Sequence, residues 1–569
     1  MLKKHLTLLL FLCATCALHA TNYLTFTAEE DDSKFGIKTT SDWVDPDIDT
    51  HWDNPDIKIQ YSLNGGRSWT KLPADTLIPL KRKGDKALLR GNNPQGFSDT
   101  TSKYTKFVMT GRIAASGSIM SLIGGNDKNL TIKGEKCFYR LFIDCTSLTK
   151  APELPATQLA NSCYEEMFRG CTNLKQAPKL PAKTLAKNCY KGMFQECTSL
   201  TQAPELPATQ LANCCYEGMF WECTSLTQAP QLPATTLAKS CYLGLFWKCT
   251  SLTQAPQLPA TKLTDECYLG MFSMCTSLTQ APELPATTLA TSCYDKMFRG
   301  CSSLTQAPKL PAIQLANSCY KDMFRGCSSL TQAPKLPAKK LSDECYLEMF
   351  CICTSLTQAP ELPATTLAKN CYQCMFGKCI NLTQAPQLPA TTLSENCYMG
   401  MFGGCTSLTQ APQLPATQLT DSCYAAMFAE CSSLTKAPQL PATQLTKDCY
   451  KMMFRECTSL TEAPELPAQT LTNGCYIGMF KGCSKLAEIK VGFTDWGEKY
   501  RSVSEEEEID LSDVVDEIDV PVAVEEDEHW STSNWLENVA PKGKFICPKK
   551  LPKEFGESRI PQGWKVIKN

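Results

Sequence analysis

Histidine is almost missing from this sequence: there are four in 569 residues, and none between residues 131 and 491. Most of the chain therefore lacks the commonest metal ligand and the usual general base. An excess of either charge is lacking too. The formal net charge is −2, and no basic stripe or nucleic-acid-binding motif is present, which argues against an RNA or DNA surface. After the first 20 residues no apolar run approaches the roughly 20 residues that a membrane-spanning helix needs. Those first residues read as an export signal, with Lys3 and Lys4, an apolar run over 6–18 and Ala20 before the cleavage point. Neither Cys13 nor Cys16 lies in a lipoprotein box. The expectation is an exported chain, secreted or at the cell surface, with the periplasm left open.

Cysteine and proline, in contrast, are abundant, at 34 and 36 residues. The cysteines are periodic. One recurs every 26 residues from Cys137 through Cys189 and Cys215 to Cys475, each followed eight residues later by a second, in fourteen copies without a slip. A fixed period in the twenties is the mark of a solenoid, whose coils can bury their apolar faces only against each other. Residues 185–210 (LAKNCYKGMFQECTSLTQAPELPATQ) show the unit cleanly. Leu185, Cys189, Met193 and Cys197 recur every fourth residue beside Tyr190 and Phe194, a spacing that predicts a short helix over 185–194. Pro204 and Pro207 remove ladder donors, so a strand is expected only from Leu200 to about Ala203. The predicted fold class is thus an α/β repeat: a leucine-rich-repeat solenoid with one short strand and one short helix per coil. At a strand spacing of ~4.8 Å the coils would stack to roughly 65–70 Å.

On either side of the array the sequence changes character. Residues 21–130 alternate apolar and polar in short runs, with a turn at Asn64-Gly65-Gly66, and predict a small β domain. Residues 62–69 (SLNGGRSW) resemble the Asp-box hairpin of sialidases, with Asn64 where aspartate is usual; the motif marks a hairpin with a packed tryptophan. Six aspartates crowd residues 42–56 without the glycine and closing glutamate of a calcium loop, so a solvated acidic loop is expected. The array is expected over 131–491, with Leu486, Ile489 and Val491 as its terminal cap, then an acidic linker over 492–529 and a small C-terminal module over 530–569.

The recurrent CYxxMFxxCTSLTQAPxLPATxLA resembles the BspA-like leucine-rich repeats of surface proteins from Bacteroides-type bacteria. Residues 84–98 and 534–566 also look like the modules that flank such arrays. The resemblance implies an exported, adhesin-like recognition protein and no activity shared across the family.

Candidate chemistry is thin. On a helix, positions eight apart are separated by ~12 Å, outside the ~7 Å range of a disulfide. Like cysteines of neighbouring coils would approach within bridging range. Two inward columns of reduced thiols acting as small apolar residues are preferred over vertical disulfides. Neither His51 nor His529 sits in a nucleophile motif, and no zinc-ligand spacing occurs, so no enzyme, metal or cofactor is expected. The informative positions are those that vary on the outward side. Trp221 and Trp247 share one column one coil apart, joined by Leu243, Leu269 and Met274, with Arg299 and Arg325 further along the tryptophan column. An exposed aromatic and aliphatic patch of this kind marks a partner site. The expected ligand is a protein or extracellular-matrix partner. A glycan, stacked on the tryptophans, or a purely structural role as spacer or surface-layer component are the alternatives.

Overall fold

A computed structural model describes residues 22–41, 57–98, 103–124, 130–497, 499–501 and 528–569. The export signal, the six-aspartate loop over 42–56, and the acidic stretch over 502–527 lie outside them. The chain divides into two compact units, one of residues up to 286 with 297–304, the other of 287–296 with 305–569.

In the first unit, alternation of apolar and polar residues produces two sheets. One has the order β4 (Thr70–Lys71), β3 (Ile59–Ser62), β6 (Lys86–Gly91), β1 (Leu24–Ala28), β8 (Ile113–Ser116), β9 (Leu148–Lys150), and the other β5 (Ile78–Leu80), β2 (Ser33–Ser41), β7 (Lys103–Thr110). All neighbours are antiparallel except β8 and β9. Strand β9 already belongs to the first coil, so the β domain and the array share a sheet. They also share a core. Phe107 stacks on Phe142, and Phe142 on Phe168, at centroid distances of 5.0 and 5.4 Å. Phe97, from the stretch thought to flank the array, stacks on Phe138 and donates its backbone N–H to the Cys137 carbonyl.

Within each unit the coils lie on one another in register. The core of one coil consists of Cys189, Tyr190, Met193, Phe194, Cys197, Leu200, Leu206 and Ala208, all buried. Tyrosines and phenylalanines form two stacked ladders. Tyr164 and Tyr190 are 5.9 Å apart and 1° from parallel, and Phe168 and Phe194 5.6 Å and 3°.

The helix expected over 185–194 does not form. Among the described residues the one helical element is a 3-10 turn at Ile119–Leu122. The segment is instead a run of turns in which Asn188, Gly192 and Glu196, every fourth residue, take φ of 54°, 57° and 61°. Left-handed backbone at that frequency cannot belong to an α-helix of L-residues. Both a helix and a chain of four-residue turns put every fourth side chain on one face, which is why the spacing misled. The hydrogen bonds show what the turns gain. Lys191, Met193 and Gln195 donate to carbonyls three residues back, while Asn188, Tyr190, Gly192, Phe194 and Glu196 donate to the next coil, 25 residues on. A ten-residue helix would leave four N–H groups unpaired at its start. Alternating turn and stack pairs every N–H from Asn188 to Glu196. The strand also shrinks, to single bridged residues such as Gln202↔Gln228, with a second bridge column at Thr184↔Gln210.

The second cysteine column has a specific task. Cys197, Cys223 and Cys249 direct Sγ to the carbonyls of Phe168, Phe194 and Phe220 at 3.0–3.1 Å, and Cys353 to Cys483 repeat the contact in the second unit. The thiol is small and apolar, yet it supplies a weak second donor to a carbonyl that already accepts the turn N–H three residues on. Among the described residues no cysteine is placed in a disulfide. Burial pushes the Cys145, Cys301 and Cys431 thiols up to about 12, which favours the neutral thiol over the thiolate. Alkylation of denatured protein without reductant should therefore modify every array cysteine, as read by intact mass. Paired sites that react only after reduction would contradict free columns.

Val491 does not end the stack, nor is the C-terminal segment a separate module. Tyr476, Gly478 and Phe480 donate to Ser531, Ser533 and Trp535 in the pattern of the preceding coils, although 55 residues now separate the partners. Asn534 and Asn538 take the left-handed positions. Strands β10 (Glu488–Lys490), β13 (Lys544–Cys547) and β14 (Lys565–Lys568) then continue in parallel. The acidic stretch is an insertion within this extra coil. Its two ends are tied by β11 (Tyr500–Arg501) and β12 (Glu528–His529), an antiparallel pair.

Candidate recognition surface

The run of turns gives each coil a face on which four positions vary: two, three, six and seven residues after the first cysteine. At the start of the array this face carries an ion-pair ladder. Arg140 meets Glu166 at 2.9 Å, and Arg169 bridges Glu166 and Glu196 at 3.2 Å each. Then it becomes apolar.

Trp221 and Trp247 stack with ring centroids 4.6 Å apart and planes 5° from parallel. Glycines lie beside the rings. A Cβ on Gly218 would stand 3.5 Å from the Trp221 ring, and Cβ atoms on Gly244 and Gly270 3.6 and 3.8 Å from the Trp247 ring, in ordinary contact. These glycines, at φ 56–58°, are the left-handed third position of their coils. Both tryptophans remain half-buried, as do Leu243, Leu269 and Arg299, while Met274 is 39 % exposed. The backbone ties Met274 to Arg299, N–H to carbonyl, at 2.6 Å. Beside the pair, Lys248 Nζ meets Glu222 Oε1 at 2.8 Å. That hydrogen bond holds the Glu222 carboxyl below its ordinary value, helped by the Trp221 indole. Trp247 Nε1, in contrast, is buried without an acceptor among the described residues.

Arg325 does not belong to an exposed patch. It lies in the second unit, 6 % exposed, with Nε 3.4 Å from Glu348 Oε2 and Nη1 3.9 Å from Asp322 Oδ1. Its charge is spent on two carboxylates that are themselves buried, Asp322 at 5 % and Glu348 at 7 %. Asp295, also buried, has its carboxyl pushed up to about 7 by desolvation, against the pull of Lys296. By the 26-residue step Arg325 falls in the tryptophan column. What the step missed was the pair of acids at neighbouring columns, whose closeness only the stack creates. The glycine floor was also missed, although four successive glycines (192, 218, 244, 270) share one position.

Among the described residues no group of three His, Cys, Asp or Glu is placed to hold a metal, and no helix is long and apolar enough to cross a membrane. The face can do what stacked aromatic and aliphatic edges do, which is to exclude water against a complementary surface. The fold and this surface define a leucine-rich-repeat protein. Residues 131–279 and 369–500 match the BspA type leucine rich repeat region, in six copies, and the repeats belong to that type. No curated protein and no solved structure matches the chain.

Proposed function

We propose that this is an exported surface protein that binds a protein partner through the turn face of its leucine-rich repeats, without catalysis. The contact patch is Trp221, Trp247, Leu243, Leu269, Met274 and Arg299. Repeats of the BspA type are those of surface proteins engaged in protein interaction or adhesion, which supports the class. The observation that carries the reading is the parallel-stacked tryptophan pair on its glycine floor. It is retained even though it leaves the Trp247 indole N–H unpaired, a cost of about 1–3 kcal/mol. Stability alone would not select such an arrangement.

A protein partner suits this geometry better than a glycan. Each ring gives one face to the other, so the pair offers mainly edges, whereas a sugar stacks on a free ring face. Aromatic and Arg side chains amid aliphatic neighbours are the composition of interface hot spots. Replacing Trp221 and Trp247 together with lysine should weaken adhesion to host matrix or partner cells at least about tenfold, with the melting transition retained. Unchanged adhesion would remove the patch and favour a spacer. Loss of binding to a glycan array would favour the carbohydrate reading.

A further inference from the structure

The SLNGGRSW hairpin, which the turn face does not use, organises a second surface on the N-terminal domain. Its tip is locked by its own side chains. Asn64 Oδ1 accepts from Ser68 N–H at 3.0 Å and from Ser62 Oγ at 2.9 Å, and Ser62 Oγ accepts from Gly66 N–H at 2.9 Å. The locked hairpin fixes Trp69, which Tyr23 meets edge-on at 5.0 Å. Trp69 in turn holds Arg90, whose guanidinium lies 4.1 Å over the ring, while Arg90 Nε donates to Gln60 Oε1 at 2.9 Å. A stacked, hydrogen-bonded arginine has lost most of its rotamer freedom before any ligand arrives.

Arg90 lines an open cleft of about 490 Å³ together with Lys58, Gln60, Lys71 and Asn92. Three cations and two carboxamides surround it, and among the described residues no carboxylate lines it. Among the described residues none of the three cations is paired with an acid. In a chain whose net charge is −2, three like charges kept together with no counter-charge among the described lining residues raise the local potential for anions. The volume falls in the range of small-ligand sites. The carboxamides suit hydroxyl groups, since each offers both a donor and an acceptor.

We infer that this cleft is a binding site for an acidic oligosaccharide, with Arg90, Lys58 and Lys71 taking its carboxylate or sulfate and Gln60 and Asn92 its hydroxyls. The site is separate from the tryptophan patch and does not depend on it. The test is calorimetric titration of the full chain with a sulfated uronic-acid hexasaccharide, with its desulfated and carboxyl-reduced counterpart, and with inorganic sulfate. The charged hexasaccharide should bind, more weakly as salt rises, while the neutral one should not. Lys71→Gln should weaken binding about tenfold or more, and Arg90→Gln likewise, with Arg90→Lys intermediate. Should Arg90→Gln fail to fold, the exposed Lys71 carries the test alone. Replacement of Trp221 and Trp247 should leave this binding unchanged. No binding of the charged hexasaccharide, equal binding of the neutral one, inorganic sulfate binding as tightly as the hexasaccharide, or unaltered affinity in Lys71→Gln would each overturn the assignment.

Discussion

Phe350→Ala should cost about 3–5 kcal/mol, the usual penalty for removing a buried phenylalanine where the surroundings cannot collapse. The site is rigid on both sides. The Phe350 ring is fully buried between Phe324 at 5.6 Å and Phe376 at 5.7 Å, and its carbonyl accepts from Cys379 Sγ at 3.1 Å. Each coil touches only its neighbours, so the loss is concentrated at two interfaces and is not shared by the whole core. Denaturant unfolding should show the loss as an earlier transition, with coils to one side of residue 350 separating from those on the other. A change below about 1 kcal/mol would mean that the ring ladder is not the spine of the fold.

Arg325→Met should be comparably damaging, by about 3–5 kcal/mol at pH 8, because it strands charges that have been taken out of water. Asp322 and Glu348 would face each other across the vacated guanidinium with Asp295 nearby. The pH dependence has a definite sign. Asp295 already has its folded value raised to about 7 from 3.8. The folded state therefore holds a proton that the unfolded chain releases, and stability declines as pH rises between those values. Removing Arg325 takes away the cation beside two buried carboxylates, so the penalty of the variant should grow as pH rises. Thermal melts of the variant should recover toward wild type as pH falls from 8 to 5. A loss independent of pH would show that Arg325 acts by packing alone.

The two predictions rest on features of unequal legibility. The ring ladder could be read directly, since a strict 26-residue step puts identical side chains one coil apart, and only a stack can bury them all. The thiol columns followed from the same step, though not their partners, the phenylalanine carbonyls. The charge cluster could not be read. Arg325 and Glu348 are 23 residues apart, an offset short of one full repeat that brings side chains together only once the turn geometry is known. That geometry was the main misreading, because a four-residue period belongs to turns as well as to helices. The decisive sign was present in the glycines and asparagines at the left-handed positions. At the C-terminus, the acidic insertion broke the step and hid the register of Trp535, which sits fully buried where a methionine stands in earlier coils.

Whether the cysteine-to-cysteine segment is a chain of turns decides the position of every side chain on the recognition face. Ala426 tests this cleanly, since it is small, lies at φ 51° and has no side-chain partner to lose. In a helix, glycine there would destabilise by roughly 0.5–1 kcal/mol relative to alanine. In the left-handed turn, relief of backbone strain of about 1–2 kcal/mol should outweigh that entropy cost. The denaturation midpoint of Ala426→Gly is expected to rise; a midpoint that falls would contradict the turn architecture and the surface built upon it.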